Sequence, residues 1–165
     1  VESPKAIQPQ LRPGVLPVTE QIESLYRRRV VEQAQSWIGT PYVKLAARKR
    51  VGVDCAMLMV RCWVDAGVYE EFDPRPYPPD WHLHRSEERY LAWLDTLGTR
   101  VDTPQAGDLV CYKFGRCYSH SGIISRPGYV IHSAAYLGQA AETELRDGHL
   151  VDRGPIYFDL WEKYR

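Results

Sequence analysis

The sequence lacks net charge: 21 Lys and Arg residues are matched by 21 Asp and Glu residues in a chain of 165. A general nucleic-acid binder carries a basic excess to neutralise phosphates, so no nucleic-acid specificity is expected. No apolar run approaches the roughly 18 residues that cross a bilayer, so no membrane-spanning helix is expected. The opening residues, VESPKAIQPQ, contain no apolar segment of a secretory signal peptide. None of the four cysteines, Cys55, Cys62, Cys111 and Cys117, pairs at the CxxC spacing of a zinc ribbon or redox motif. At 44 % hydrophobic residues the chain is too apolar for disorder and long enough to build a core without a disulfide framework. Reduced thiols and a single domain, with no internal repeat, are the expectation.

What is present is unevenly placed. Residues 1–50 hold nine basic and four acidic side chains, whereas residues 51–165 hold 12 basic and 17 acidic. Residues 1–17 include Pro4, Pro9, Pro13 and Pro17 and read as an extended arm or linker able to dock on a partner. Residues 18–165 read as the folded domain. Ile22, Tyr26, Val30, Ala34, Trp37 and Ile38 recur every three or four positions, predicting a helix over 19–38 with Arg27, Arg28 and Arg29 on its solvated face. Residues 39–53 read as a loop. The run CAMLMVRCWVDAG predicts a second helix from Cys55 to Ala66, apolar almost all round and therefore central, with Asp54 as its N-cap and Gly67 as its stop. A Pro-rich stretch over 68–85 precedes a third helix near Ser86–Leu97, with Tyr90 and Trp93, like Trp63 before them, at core spacings. The pattern then changes to short strand-like runs at 108–114, 118–125, 129–134, 149–154 and 156–161. Helices first and strands second predict an α+β fold with a mainly antiparallel sheet.

One cysteine stands at a chemically distinctive place. Cys55 opens the buried helix, where unpaired backbone N–H groups and the helix dipole favour a thiolate and can serve an oxyanion. His120 in YSHSGIIS and His132 in YVIHSA lie in two strand-like runs joined by a turn at Pro127 and Gly128. Adjacent antiparallel strands would set the two imidazoles side by side. His120 is then the general base for the thiol and His132 the group that orients it, as in a catalytic triad.

The segments WIGTPY, VDCAMLMV, PQAGDLVCYKF, SHSGII and VIHS resemble the NlpC-type cell-wall peptidase family, over about residues 33 to 134. These are papain-like cysteine peptidases and amidases that cut the peptide stems of peptidoglycan. The resemblance implies a papain-like fold, with Cys55, His120 and His132 as nucleophile, base and orienting residue and no cofactor. It makes Tyr42 and Asp54 candidates for lining the substrate cleft, with the Tyr42 hydroxyl a helper to the Cys55 N–H at the oxyanion; Asp54 retains its plainer N-cap reading. The segments PPDWHLHRSEERYLAWL and KFGRCYSH resemble the branch found in phage and prophage tail modules. That implies a tail-tip peptidase acting in the host envelope and periplasm, with other tail proteins as partners of the arm. Two departures stand out. Ala56 and Met57 follow the nucleophile where Ser-Gly is common, and VKLAARKRVG replaces a loop that commonly carries a Gly-Gly pair.

The same residues permit other readings. Trp81 is open to a substrate-stacking role, and Arg116 with Lys113 to meeting the carboxylates of a peptide stem. A zinc site drawn from Cys111, Cys117, His120, His132, His82 and His84 has the wrong spacing for the usual knuckles. A non-catalytic tail component and an acyltransferase using the same thiol chemistry are the remaining alternatives.

Overall fold

The computed structural model describes residues 20–77 and 88–161. The arm at 1–17, Thr19, Trp81, His82 and His84 lie outside the described residues. Helix α1 (Glu20–Trp37) buries Val30, Ala34 and Trp37 along one stripe and stops where Gly39 takes φ 88°. Helix α2 (Cys55–Asp65) buries seven of its side chains, from Met57 to Val64, which suits its apolar circumference to the centre of the molecule. Helix α3 (Arg89–Leu97) buries Leu91, Leu94 and Leu97 at successive threes. The expected start of that helix at Ser86 lies outside the described residues.

The main sheet has six antiparallel strands: β3 (Thr99–Val101), β4 (Leu109–Phe114), β5 (Cys117–Arg126), β6 (Tyr129–Ala134), β7 (Gln139–Glu144) and β8 (Ile156–Asp159). Their order in space is β3-β8-β4-β5-β6-β7. Two short strands, β1 (Ala47–Arg48) and β2 (Gly52–Val53), form a separate hairpin ahead of α2 within the span expected to be loop. Side-chain alternation divides the sheet into two faces. Leu109, Cys111, Ile123 and Ile131 join the helices in the main core. Val110, Tyr112, Ile124 and Val130 form a second, smaller core closed by Leu150. All four cysteines are free thiols.

Three expectations need correction. Residues 149–154 are not a strand but a run of turns, because the Asp147 carboxylate accepts from the backbone N–H groups of His149 and Leu150 and curls the chain. Leu150 is buried from that segment while Val151 is 45 % exposed. Strand β7 is not foreshadowed by apolar alternation, because it is a polar edge strand, QAAETE, whose small Ala140 is all that reaches the main core. Arg27 is not on a solvated face. It is buried, its Nε donates to Glu23 at 2.9 Å, and its Nη1 donates to Asp108 at 2.6 Å and the Ala106 carbonyl at 3.0 Å. This cluster ties α1 to the entrance of β4. Removing one partner of a buried ion pair strands the others, so Arg27→Ala is expected to destabilise the fold by about 3–5 kcal/mol, read by denaturant unfolding. The same change at exposed Arg28 should stay within about 0.5 kcal/mol.

Candidate active site

The site forms where two neighbouring strands part. The register of β5 with β6 runs from Arg126/Tyr129 to Ile123/Ile131. Past that point the start of α2 is anchored between the strands, with the Ser133 hydroxyl donating to the Val53 carbonyl at 2.8 Å. The Cys55 thiol donates to the carbonyl of Ser119 at 3.8 Å, and the backbone N–H of Ser121 faces the same sulfur. Those two backbone groups straddle His120, so the Cys55 sulfur is held by the chain neighbours of His120 on one strand. Ser119 is also the extra residue of a β-bulge: Tyr112 pairs with His120 and Lys113 with Tyr118. Bulges of this kind re-aim the neighbouring side chain.

His120 is turned toward the second face of the sheet, its ring centroid 5.1 Å from that of Phe114. Its Nε2 lies 2.8 Å from Nδ1 of His132, which is fully buried on β6. The other nitrogen of His132 lies 2.8 Å from the Thr143 hydroxyl on β7. Pro127 and Gly128, the latter at φ 81°, make the two-residue turn that sets this register. Gly122 provides the room between the strands. A Cβ there would sit 2.5 Å from Val130 Cγ2, 2.8 Å from the Ile131 carbonyl and 3.0 Å from His132 Cβ.

No family model matches the chain, and no curated protein matches its sequence. Solved structures do match. The NlpC/p60 domain of the peptidoglycan hydrolase SagA superposes with a TM-score of 0.58 at 18% identity, over 81% of this chain and 97% of that one. The peptidoglycan hydrolase RipB from Mycobacterium tuberculosis gives 0.58 at 19% identity, over 88% and 69%. NlpC2 from Trichomonas vaginalis gives 0.62 at 12% identity, over 82% of this chain and 46% of that longer one. The fold is the papain-like NlpC/p60 fold.

Within this NlpC/p60 fold Asp54 occupies the N-cap role. It is buried, its Oδ1 accepts from the Met57 N–H at 2.9 Å, and its Oδ2 accepts from the Leu45 N–H at 2.8 Å. The Tyr77 hydroxyl donates to the same carboxylate at 2.7 Å. The loop that lacks the Gly-Gly pair is held at Leu45 by Asp54 and at Arg50, whose N–H donates to Thr40 Oγ1 at 3.1 Å, and the two residues take φ 61° and 64°, the left-handed region glycine favours. Tyr42 is half-buried and bridges to Val53, two residues before the nucleophile. Arg116 is exposed in the β4–β5 turn. Lys113 instead lines an open cavity of about 460 Å³, together with Tyr118, His149 and Arg153. Arg153 stacks its guanidinium 4.2 Å over the Phe114 ring, which connects that cavity to His120. Among the described residues no cluster of three or more His, Cys, Asp or Glu side chains is arranged to hold a metal ion.

The sequence pattern did not point to Tyr77, Tyr90, Gly122 or Thr143. Tyr90 reaches from α3 to Ser121, with its hydroxyl 2.6 Å from Ser121 Oγ. Only a helical core position was legible for it. The expected acidity of Cys55 also needs correction. Burial, then the neighbouring Asp54 charge, push its thiol up to about 12, against the lowering effect of the Ser121, Ala56 and Cys55 backbone N–H groups. Desolvation and an adjacent carboxylate outweigh the helix terminus. A thiol raised this far is un-ionised at neutral pH, so any nucleophilic role for Cys55 requires a base to take its proton.

Burial drives His132 the other way, down to about 4, with Asp147 opposing. Its folded form therefore stays neutral while the unfolded chain takes up a proton as the pH falls below about 6.5. This contribution to stability is complete above that pH and is lost progressively toward pH 4, by roughly 3 kcal/mol at most. Unfolding temperatures followed from pH 7 to 4.5 are expected to fall less in His132→Gln than in the unsubstituted protein.

Proposed function

We propose that the protein is a peptidoglycan hydrolase that cuts an amide bond of the cell-wall peptide stem by thiol chemistry. The observation that carries this reading is the Cys55 sulfur held by the Ser119 carbonyl and the Ser121 N–H, the chain neighbours of His120, whose Nε2 pairs with His132 Nδ1. The matched structures named as peptidoglycan hydrolases support the substrate class.

His120 takes the thiol proton as Cys55 attacks the carbonyl carbon, so the unfavourable thiolate need exist only along the reaction path. The oxyanion forms near the N-terminus of α2, where the Cys55 backbone N–H is the donor and the Tyr42 hydroxyl a helper. The C–N bond then breaks, His120 returns the proton to the departing amine, and a thioester remains on Cys55. Water, deprotonated by His120, attacks the thioester and releases the acid, and the proton passes back to the thiol. No cofactor enters these steps. The cavity bearing Lys113 and Arg153 offers cations to carboxylates of a peptide stem.

The resemblance of residues 78–94 and 113–120 to tail modules supports a place at a phage tail tip, opening the wall within the host envelope as the genome passes. Immunolabelling of virions tests that placement. For the reaction itself, the purified protein is expected to release soluble peptides from peptidoglycan, identified by mass spectrometry. Cys55→Ala should release none while unfolding at the same temperature, and His120→Ala should lose about 10²–10⁴ in rate. Undiminished release by Cys55→Ala would overturn the mechanism.

A further inference from the structure

His132 has partners on both ring nitrogens: Nδ1 at 2.8 Å from His120 Nε2, and Nε2 at 2.8 Å from Thr143 Oγ1. A neutral imidazole carries one N–H, so the row Thr143–His132–His120 has a direction. In one direction Thr143 donates to His132 Nε2, and His132 Nδ1–H donates to His120 Nε2. Neutral His120 then carries its hydrogen on Nδ1, and that nitrogen cannot accept a proton from a thiol. In the other direction His132 Nε2–H donates to Thr143, and His120 Nε2–H donates to His132 Nδ1. His120 then gains and loses a proton at Nδ1 with no rearrangement behind it.

The hydroxyl hydrogen of Thr143 selects between them. The Glu144 carbonyl lies 3.3 Å from Thr143 Oγ1, within reach of that hydrogen, and a hydroxyl donating there turns the oxygen's lone pair to His132. We infer that Thr143 is a positioning residue that fixes His132 as its Nε2–H tautomer and so sets His120 to work as a base through Nδ1. The alternative direction leaves the Glu144 carbonyl without the Thr143 hydrogen. Burial independently keeps His132 neutral, so the single N–H assumed here holds at physiological pH. Asp147 is the charged group that opposes this, and Tyr136 packs 6.3 Å from the His132 ring.

The turnover arm of the test rests on the hydrolase reading, whereas the tautomer arm does not. Two-bond ¹H–¹⁵N correlation spectra of the histidine-labelled resting protein are expected to show His132 with a protonated Nε2 and a bare Nδ1. Thr143→Val removes the acceptor and keeps the shape. It should lower turnover on peptidoglycan about tenfold or more and move the His132 hydrogen off Nε2, and Thr143→Ser should restore both. A protonated Nδ1 on His132 in the unsubstituted protein would overturn the inference, whatever the fate of the variants. Unchanged turnover and tautomer in Thr143→Val, or a Thr143→Ser as impaired as Thr143→Val, would do the same. If the unsubstituted protein releases no peptide, the hydrolase reading fails, and the tautomer of the resting protein still decides the role of Thr143.

Discussion

The carboxylate of Asp54 gathers the Met57 N–H, the Leu45 N–H and the Tyr77 hydroxyl onto one buried group, and the position of Cys55 depends on it. One of these bonds caps α2, another fixes the loop after Tyr42, and the third brings in the chain at residue 77. The same charge sits one residue from Cys55 and makes its thiolate harder to form. Anchoring and acidity therefore pull in opposite directions at this site. In the proposed mechanism His120, on the strand that cradles the sulfur, resolves the conflict by taking the proton as attack occurs.

The sheet contributes a second constraint. β5 serves both the main core, through Ile123, and the smaller core, through Ile124. Its bulge at Ser119 and the bare Cα at Gly122 let one strand carry a backbone cradle for sulfur and an imidazole, His120, that meets His132 across the gap. Rigid cores on both faces hold these parts in register. The buried Arg27 cluster fastens α1 to the loop that leads into β4, the strand paired with β5.

Much of this was legible in the sequence, for local reasons. The apolar run behind Cys55 with Asp54 before it defines a capped central helix, and Pro127-Gly128 between two apolar runs defines the hairpin that pairs the histidines. What was not legible depends on distant partners. QAAETE gives no strand signal until β6 is present to pair with it, so Thr143 stayed hidden. Tyr77 and Tyr90 reach the site from a Pro-rich loop and a separate helix. Arg27 resembles its exposed neighbours Arg28 and Arg29 until Asp108 arrives from 81 residues away. The dipole at the start of α2 was apparent from the sequence, but the degree of burial that overrides it was not.

The central claim is that Cys55 is reactive because His120 takes its proton, not because it is already ionised. The direct measurement is the rate of alkylation at Cys55 by iodoacetamide at pH 7, located by peptide mass spectrometry. Cys62, Cys111 and Cys117 are fully buried and do not compete in the folded protein. Replacing His120 with Ala should slow alkylation about tenfold or more in protein that remains folded. Equal rates in the two proteins would contradict the claim.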